Sequence, residues 1–185
     1  MKNYIVSAFR LTMVMLVITG IYLAIVYAGS KVLPTQGNAE TIHYKGQKFY
    51  TNIGQEFKSL KYFHGRPSAV DYNAAGSAGS NKGPSNEEYL QTVQKRIDTL
   101  RMQNPGMESV KIPVELVTAS GSGLDPDLSE EGALYQVKRI AKERNISEKS
   151  IEDLVKSHME APFLTLFGPS KVNVLQLNIA LDQLK

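Results

Sequence analysis

LTMVMLVITGIYLAIVYAGS, residues 11–30, decides the architecture of this chain: twenty residues without a charge lie between Arg10 and Lys31. At about 1.5 Å of rise per residue a helix of that length is roughly 30 Å long, the thickness of a bilayer's hydrocarbon core. Thr12, Thr19 and Gly20 are compatible with such a span, because a helix satisfies its own backbone and small residues let a neighbouring helix approach. Tyr27 stands where it reaches the far interface. The reading is a single-pass anchor carrying a soluble domain. A cleaved signal peptide, with Val26-Tyr27-Ala28 before the cut, is the competing reading, but its apolar core is ordinarily only about 7–15 residues.

The flanks give the orientation. Lys2, Arg10 and the amino terminus precede the span, and no acidic residue occurs before Glu40. The positive-inside rule keeps that end cytoplasmic and sends the rest across the membrane. The expected partition is a cytoplasmic N-terminus at 1–10, a membrane helix at 11–30, a linker at 31–40 containing Pro34 and Gly37, and an extracytoplasmic domain at 41–185.

Beyond the anchor the charge is balanced. Setting aside Lys2, Arg10 and Lys31 leaves 18 of the 21 basic residues against 18 acidic ones, so the domain is neutral despite the chain's net charge of +3. Nucleic-acid binding needs several phosphate-neutralising cations in one place and is not indicated. Cysteine is absent, which fits an oxidising compartment and excludes cysteine-based metal centres.

Residues 41–52 alternate loosely around Lys45-Gly46 and predict two short strands and a turn. Ser85 and Glu88 form a capping-box pattern ahead of a helix with Leu90, Val93, Ile97 and Leu100 on its inner face, ended by Asn104-Pro105-Gly106. Residues 109–118 read as extended, with Pro113 at an edge or bulge. Ser129 caps a helix carrying Leu134, Val137 and Ala141, with Asn145 as its C-terminal cap. Ser147 caps the next, with Ile146 and Ile151 as a hydrophobic staple and Ile151, Leu154, Val155 and Met159 inward, ending at Pro162. A last helix carries Val174, Leu177, Asn178, Leu181 and Leu184. The expected fold is α+β: one N-terminal transmembrane helix, then a compact helix-rich domain with a small sheet.

Two Gly/Ser-rich loops, DYNAAGSAGSNKGPS at 71–85 and ASGSGLDPD at 119–127, look functional or disordered. The first is no phosphate cradle, because Lys82 is followed by Gly83 and Pro84 and not by Ser or Thr. Asp125 and Asp127 could chelate a cation, but without further ligands a turn is the better reading. His43, His64 and His158 lie apart, and no Gly-x-Ser-x-Gly elbow occurs. No catalytic or metal-binding constellation is expected. Tyr62, Phe63, His64 and Arg66 in YFHGRPS form either an anchored turn or an aromatic interaction surface.

Several stretches carry a family resemblance: IGQEF at 53–57, YFHGRPSA at 62–69, DYN at 71–73, SAGSN at 77–81, VELVTASGSGLD at 114–125, RIAKERN at 139–145, VN at 172–173 and LNIALD at 177–182. In order and spacing, together with the single span, they resemble the C subunit of the bacterial potassium-transporting Kdp ATPase. The resemblance implies a non-catalytic accessory subunit of a high-affinity, ATP-driven potassium importer. Its partners would be a channel-like potassium-binding subunit, an ATP-hydrolysing P-type subunit and a small membrane subunit. ATP and potassium would be handled by the complex, with no cofactor assigned to this chain. The family's C subunit is described as a catalytic chaperone that raises the ATP affinity of the hydrolysing subunit. Since the charge flanks place residues 31–185 outside a bacterial inner membrane, such an effect would be indirect. Expected partner-contact residues are Tyr62, Phe63, His64, Arg66, Asn81, Ser120, Gly121, Gly123 and Asp125, and Thr12, Thr19 and Gly20 would pack the anchor. The alternatives are a free-standing, membrane-anchored solute-binding module and an anchored enzyme using His64 or Asp125.

Overall fold

The computed structural model describes residues 2–162, 164 and 166–184. The chain divides into two units, Met1–Thr41 and Ile42–Lys185.

The first unit is dominated by α1 (Lys2–Ser30). Within it Tyr4–Ser30 is apolar enough to cross a membrane, with a mean hydropathy of 2.2 and no buried residue in that window. A helix that is apolar all round requires lipid or other helices as its surroundings. The helix continues through residues 2–10, so no structural break separates the expected cytoplasmic segment from the span. Thr12 Oγ1 donates to Ala8 O (3.0 Å), keeping its hydroxyl satisfied inside the helix, and Gly20 stands in open space as a notch. After Ser30 the chain runs through turns, with Gln36 and Gly37 both at positive φ.

The second unit opens within a hairpin, β1 (Thr41–Tyr44) and β2 (Gln47–Tyr50), turned by Lys45 and Gly46, both at positive φ as a two-residue hairpin turn requires. α2 (Glu87–Gln103) starts one residue later than expected: Asn86, not Ser85, is the cap, accepting from Tyr89 N–H. Of its stripe, Leu100 is buried and Val93 and Ile97 pack on the core, but Leu90 is half exposed. Residues 109–118 are not a strand. Pro113, unable to donate to a ladder, opens a 3-10 turn at Val114–Leu116, and Thr118 Oγ1 donates to Val114 O (2.8 Å).

Ser129 caps as expected, but its helix is two pieces, α3 (Glu130–Leu134) and α4 (Val137–Arg144). Between them Gln136 Nε2 donates to Gly132 O (3.2 Å) while the rest of the amide reaches away from the helix. Asn145 closes α4 in the left-handed region. α5 (Glu148–Ser157) is capped by Ser147 and ends at His158, short of Pro162. Two strands that the sequence does not announce, β3 (Asp127–Leu128) and β4 (Val172–Asn173), pair antiparallel, Leu128 opposite Val172. β4 leads directly into α6 (Val174–Gln183), which Asn173 caps. The result is α+β as expected, with two two-stranded ladders. The core lies among α3–α6 and the β3–β4 ladder, built on Leu128, Ile140, Ile151, Val155, Leu177 and Leu181.

Residues 60–64 run along this core outside any strand, with Phe63 entering it, and side chains from the helices satisfy much of their backbone. Asn178 accepts from Phe63 N–H (2.8 Å) and donates to Phe63 O (2.9 Å). Gln136 does the same for His64, at 2.8 and 3.0 Å. Arg139 donates through Nη1 to Leu60 O and to Tyr62 O (3.0 Å), through Nη2 to Gln136 Oε1 (2.7 Å) and through Nε to Asn104 Oδ1 (3.1 Å). Burial pulls Arg139 down to about 10, so it stays charged at neutral pH. Phe63 is thereby fixed in the core with no exposed surface.

Asp182 ties the outer edge together. It accepts from Tyr44 (2.8 Å), Lys45 (2.9 Å), Tyr62 (3.0 Å) and Arg144 (2.7 Å), and the Arg144 guanidinium lies 4.8 Å from the Tyr62 ring centre. Burial alone would push this carboxyl up. The hydrogen bonds from Lys45, Arg144, Tyr44 and Tyr62 outweigh it and hold the group well below the usual carboxylate range. A depressed folded-state value stabilises above the unfolded pKa of about 4, and that stabilisation is lost as pH falls below it. Asp182→Asn is therefore expected to lower the stability of the full chain in detergent by about 2 kcal/mol at pH 7. It should also flatten the loss of stability between about pH 5 and pH 3. Denaturant titrations across that range check this; parallel pH profiles for both proteins would contradict it.

Candidate interaction surface

The two Gly/Ser-rich loops fold against each other. Ser77 Oγ and Ala78 N–H both donate to Ser122 O (3.0 Å each), Ser68 Oγ donates to Gly123 O (2.6 Å), and Ser120 N–H donates to Pro67 O (3.2 Å). Gly54 N–H adds a bond to Leu124 O (2.7 Å). Such backbone-to-backbone contact explains two of the glycines. A Cβ on Gly79 would stand 3.0 Å from Gly121 O. Gly123, at φ +69, would drive a Cβ to 2.7 Å from Val70 Cγ2 and 2.8 Å from Ala78 O. The loops are one ordered knot on residues 66–68, which the clamp at 60–64 positions.

Arg66 Nη1 and Asp125 Oδ2 pair across the knot at 3.0 Å, both partly exposed, and Arg66 Nε is buried without a partner. Tyr72 Oη donates to Arg66 O (2.6 Å). Asp125 Oδ1 accepts from Asp127 N–H (3.1 Å), the turn reading of this pair, while Asp127 Oδ2 takes Lys171 Nζ (2.6 Å). Both carboxylates are thus engaged, and among the described residues no group of three or more His, Asp or Glu could hold a metal. The His64 ring stands 3.1 Å from Ser59 O, and burial together with the nearby Arg139 charge lowers its pKa, keeping it neutral at pH 7. Ser157 Oγ meets His158 Nδ1 at 3.1 Å, but that nitrogen is also 2.9 Å from Leu154 O, so the pair closes the end of α5.

The expected contact residues therefore separate. Arg66, Asp125, Gly121 and Asn81 lie on the accessible side of the knot, and Asn81 sits at φ +53 in the exposed run before α2. Ser120 and Gly123 are buried inside it, and Phe63 is core. Tyr62 is half-buried and belongs to the Asp182 cluster. The structure adds Gln136, Arg139, Asn178 and Asp182 as the residues that set the geometry. Their signal was a polar residue on an otherwise apolar helix face, as with Asn178 between Val174 and Leu181.

Gly123→Ala tests the knot. Positive φ and two contacts under 3 Å predict destabilisation of about 2–3 kcal/mol. Protease cleavage should appear within residues 71–85, read by limited proteolysis of the full chain in detergent. Unchanged resistance would mean that the loops do not depend on each other.

A family model described as "K+-transporting ATPase, c chain" matches residues 5–183. The chain is 54% identical to the potassium-transporting ATPase KdpC subunit of Flavobacterium johnsoniae, over 100% of both chains. It is 51% identical to that of Flavobacterium psychrophilum and 41% identical to that of Methylococcus capsulatus, again over the whole of each. The match runs through the anchor, the clamp, the knot and α6 alike, and the chain belongs to the KdpC family, the c chains of potassium-transporting ATPases.

Proposed function

We propose that this chain is the non-catalytic accessory subunit of a four-part, ATP-driven potassium importer in a bacterial inner membrane, with its N-terminus cytoplasmic and residues 31–185 outside. Its anchor packs through the surfaces around Thr12, Thr19 and Gly20, and its domain docks on the channel-like potassium-binding subunit. The accessible part of the knot, with Arg66, Asn81, Gly121 and Asp125, supplies contacts together with the outer edges of Tyr62 and His64. Phe63, Ser120 and Gly123 hold that surface in shape from behind.

The observation that carries this reading is that the family motifs are spent on architecture. The polar groups of the 60–64 clamp, Asp125 and Asp182 are all engaged within the chain. A subunit built this way acts by presenting a rigid face. It stabilises the assembly and raises the ATP affinity of the hydrolysing subunit through coupled conformational states, because the two would lie on opposite sides of the membrane.

Protease added to sealed, right-side-out vesicles holding the complex is expected to digest the C-terminal domain. Complexes lacking this chain are expected to require about tenfold more ATP for half-maximal hydrolysis, the size of an ordinary coupling free energy. A protected domain, with external controls digested, would instead favour direct contact with the nucleotide-binding subunit.

A further inference from the structure

A groove runs along α2. Its floor and far wall come from Pro67, Ser68, Leu116 and Ala119, the knot and the 3-10 turn, in two adjoining cavities of about 330 and 340 Å³ that share Thr92 and Arg96. The near wall is one helix face, with Tyr89, Thr92, Arg96, Thr99 and Gln103 recurring at three- and four-residue steps. Its length, about 21 Å at 1.5 Å per residue, suits an extended stretch of some six residues.

Its charge is one-sided. Lys82, Lys95 and Arg96 line it, and its one carboxylate, Glu88, is bound by Lys82 at 3.0 Å. Arg96 donates Nη1 to Val117 O (3.0 Å), and neither it nor Lys95 has an acidic partner among the described residues. Lys95 lines one cavity and Lys82 the other, with Arg96 shared between them, and Leu100, Leu116 and Pro67 give the first an apolar bottom. That pattern fits a chain with acidic and apolar side chains better than a single small anion.

We infer that an extended, acidic segment of a partner subunit lies in this groove, its carboxylates against Lys95 and Arg96. The inference rests on the docking role proposed above and names the groove and the chemistry of what it receives.

The test places a photo-crosslinking amino acid at Thr99 or Gln103, and at Lys149 on α5 as a control, in the full chain within the membrane-embedded complex. Groove positions are expected to form an adduct with a polypeptide stretch holding Asp or Glu within three residues, and position 149 is not. Lys95→Glu, a change at an exposed helix site, is expected to reduce the groove adduct by about tenfold. An adduct with lipid or a small molecule, one with a stretch lacking carboxylates, no adduct in an assembled complex, or no effect of Lys95→Glu would each overturn the inference while leaving docking intact. A chain that does not co-purify with a multispanning subunit would overturn docking itself, and this inference with it.

Discussion

The soluble domain depends on one arrangement: a buried guanidinium and two buried amides holding an irregular stretch of backbone. Arg139 and Asn178 come from α4 and α6 and Gln136 from the break before α4, and they meet residues 60–64, whose N–H and C=O groups have no neighbouring strand. An unsatisfied buried backbone group costs about 1–3 kcal/mol, so side chains that replace a sheet partner are necessary for that segment to run through the core. Burying Arg139 is itself costly. The cost is offset because carbonyl and amide oxygens accept its hydrogen bonds and the Glu143 carboxylate adds a favourable charge nearby. Phe63 then enters the core, and residues 65–68 leave it at a fixed place.

Everything that looks functional in the sequence is built outward from there. The knot stacks on 66–68 by close contact that leaves little room for a side chain at 79 and, at positive φ, requires glycine at 123. The hairpin is drawn in by Tyr44 and Lys45 on Asp182, the same carboxylate that receives Tyr62 and Arg144. A residue cluster with His, Arg and Asp close together invites a catalytic reading, yet each group is engaged in holding the fold. What remains accessible is the outer side of the knot and the groove along α2, the surfaces on which the proposed docking rests.

Local signals were legible in the sequence. The Lys45-Gly46 turn, the Ser129 and Ser147 caps and the Asn145 terminus each depend on residues within about one turn of one another, and each appears as expected; the uncharged run at 11–30 is helical, within a helix that extends back to Lys2. Non-local features were not. β3 and β4 are two residues each and 44 positions apart, too short for any periodicity. The break between α3 and α4 exists because Gln136 reaches His64, 72 residues away. The glycine loops look functional or disordered in the sequence because composition cannot reveal that two such loops pack on each other. For Phe63 and His64 the sequence leaves an anchored turn and an interaction surface both open, because a segment without strand or helix periodicity carries no burial signal.

Hydrogen exchange at the amides of Phe63 and His64, in the full chain in detergent, tests the clamp most directly. Both lie outside any helix or strand, yet if Asn178 and Gln136 hold them as described they should exchange as slowly as the amides in the centre of α6, opening only with the whole domain. Exchange at the rate of an exposed loop would show that residues 60–64 open independently, and the account of the domain as built on that clamp would be contradicted.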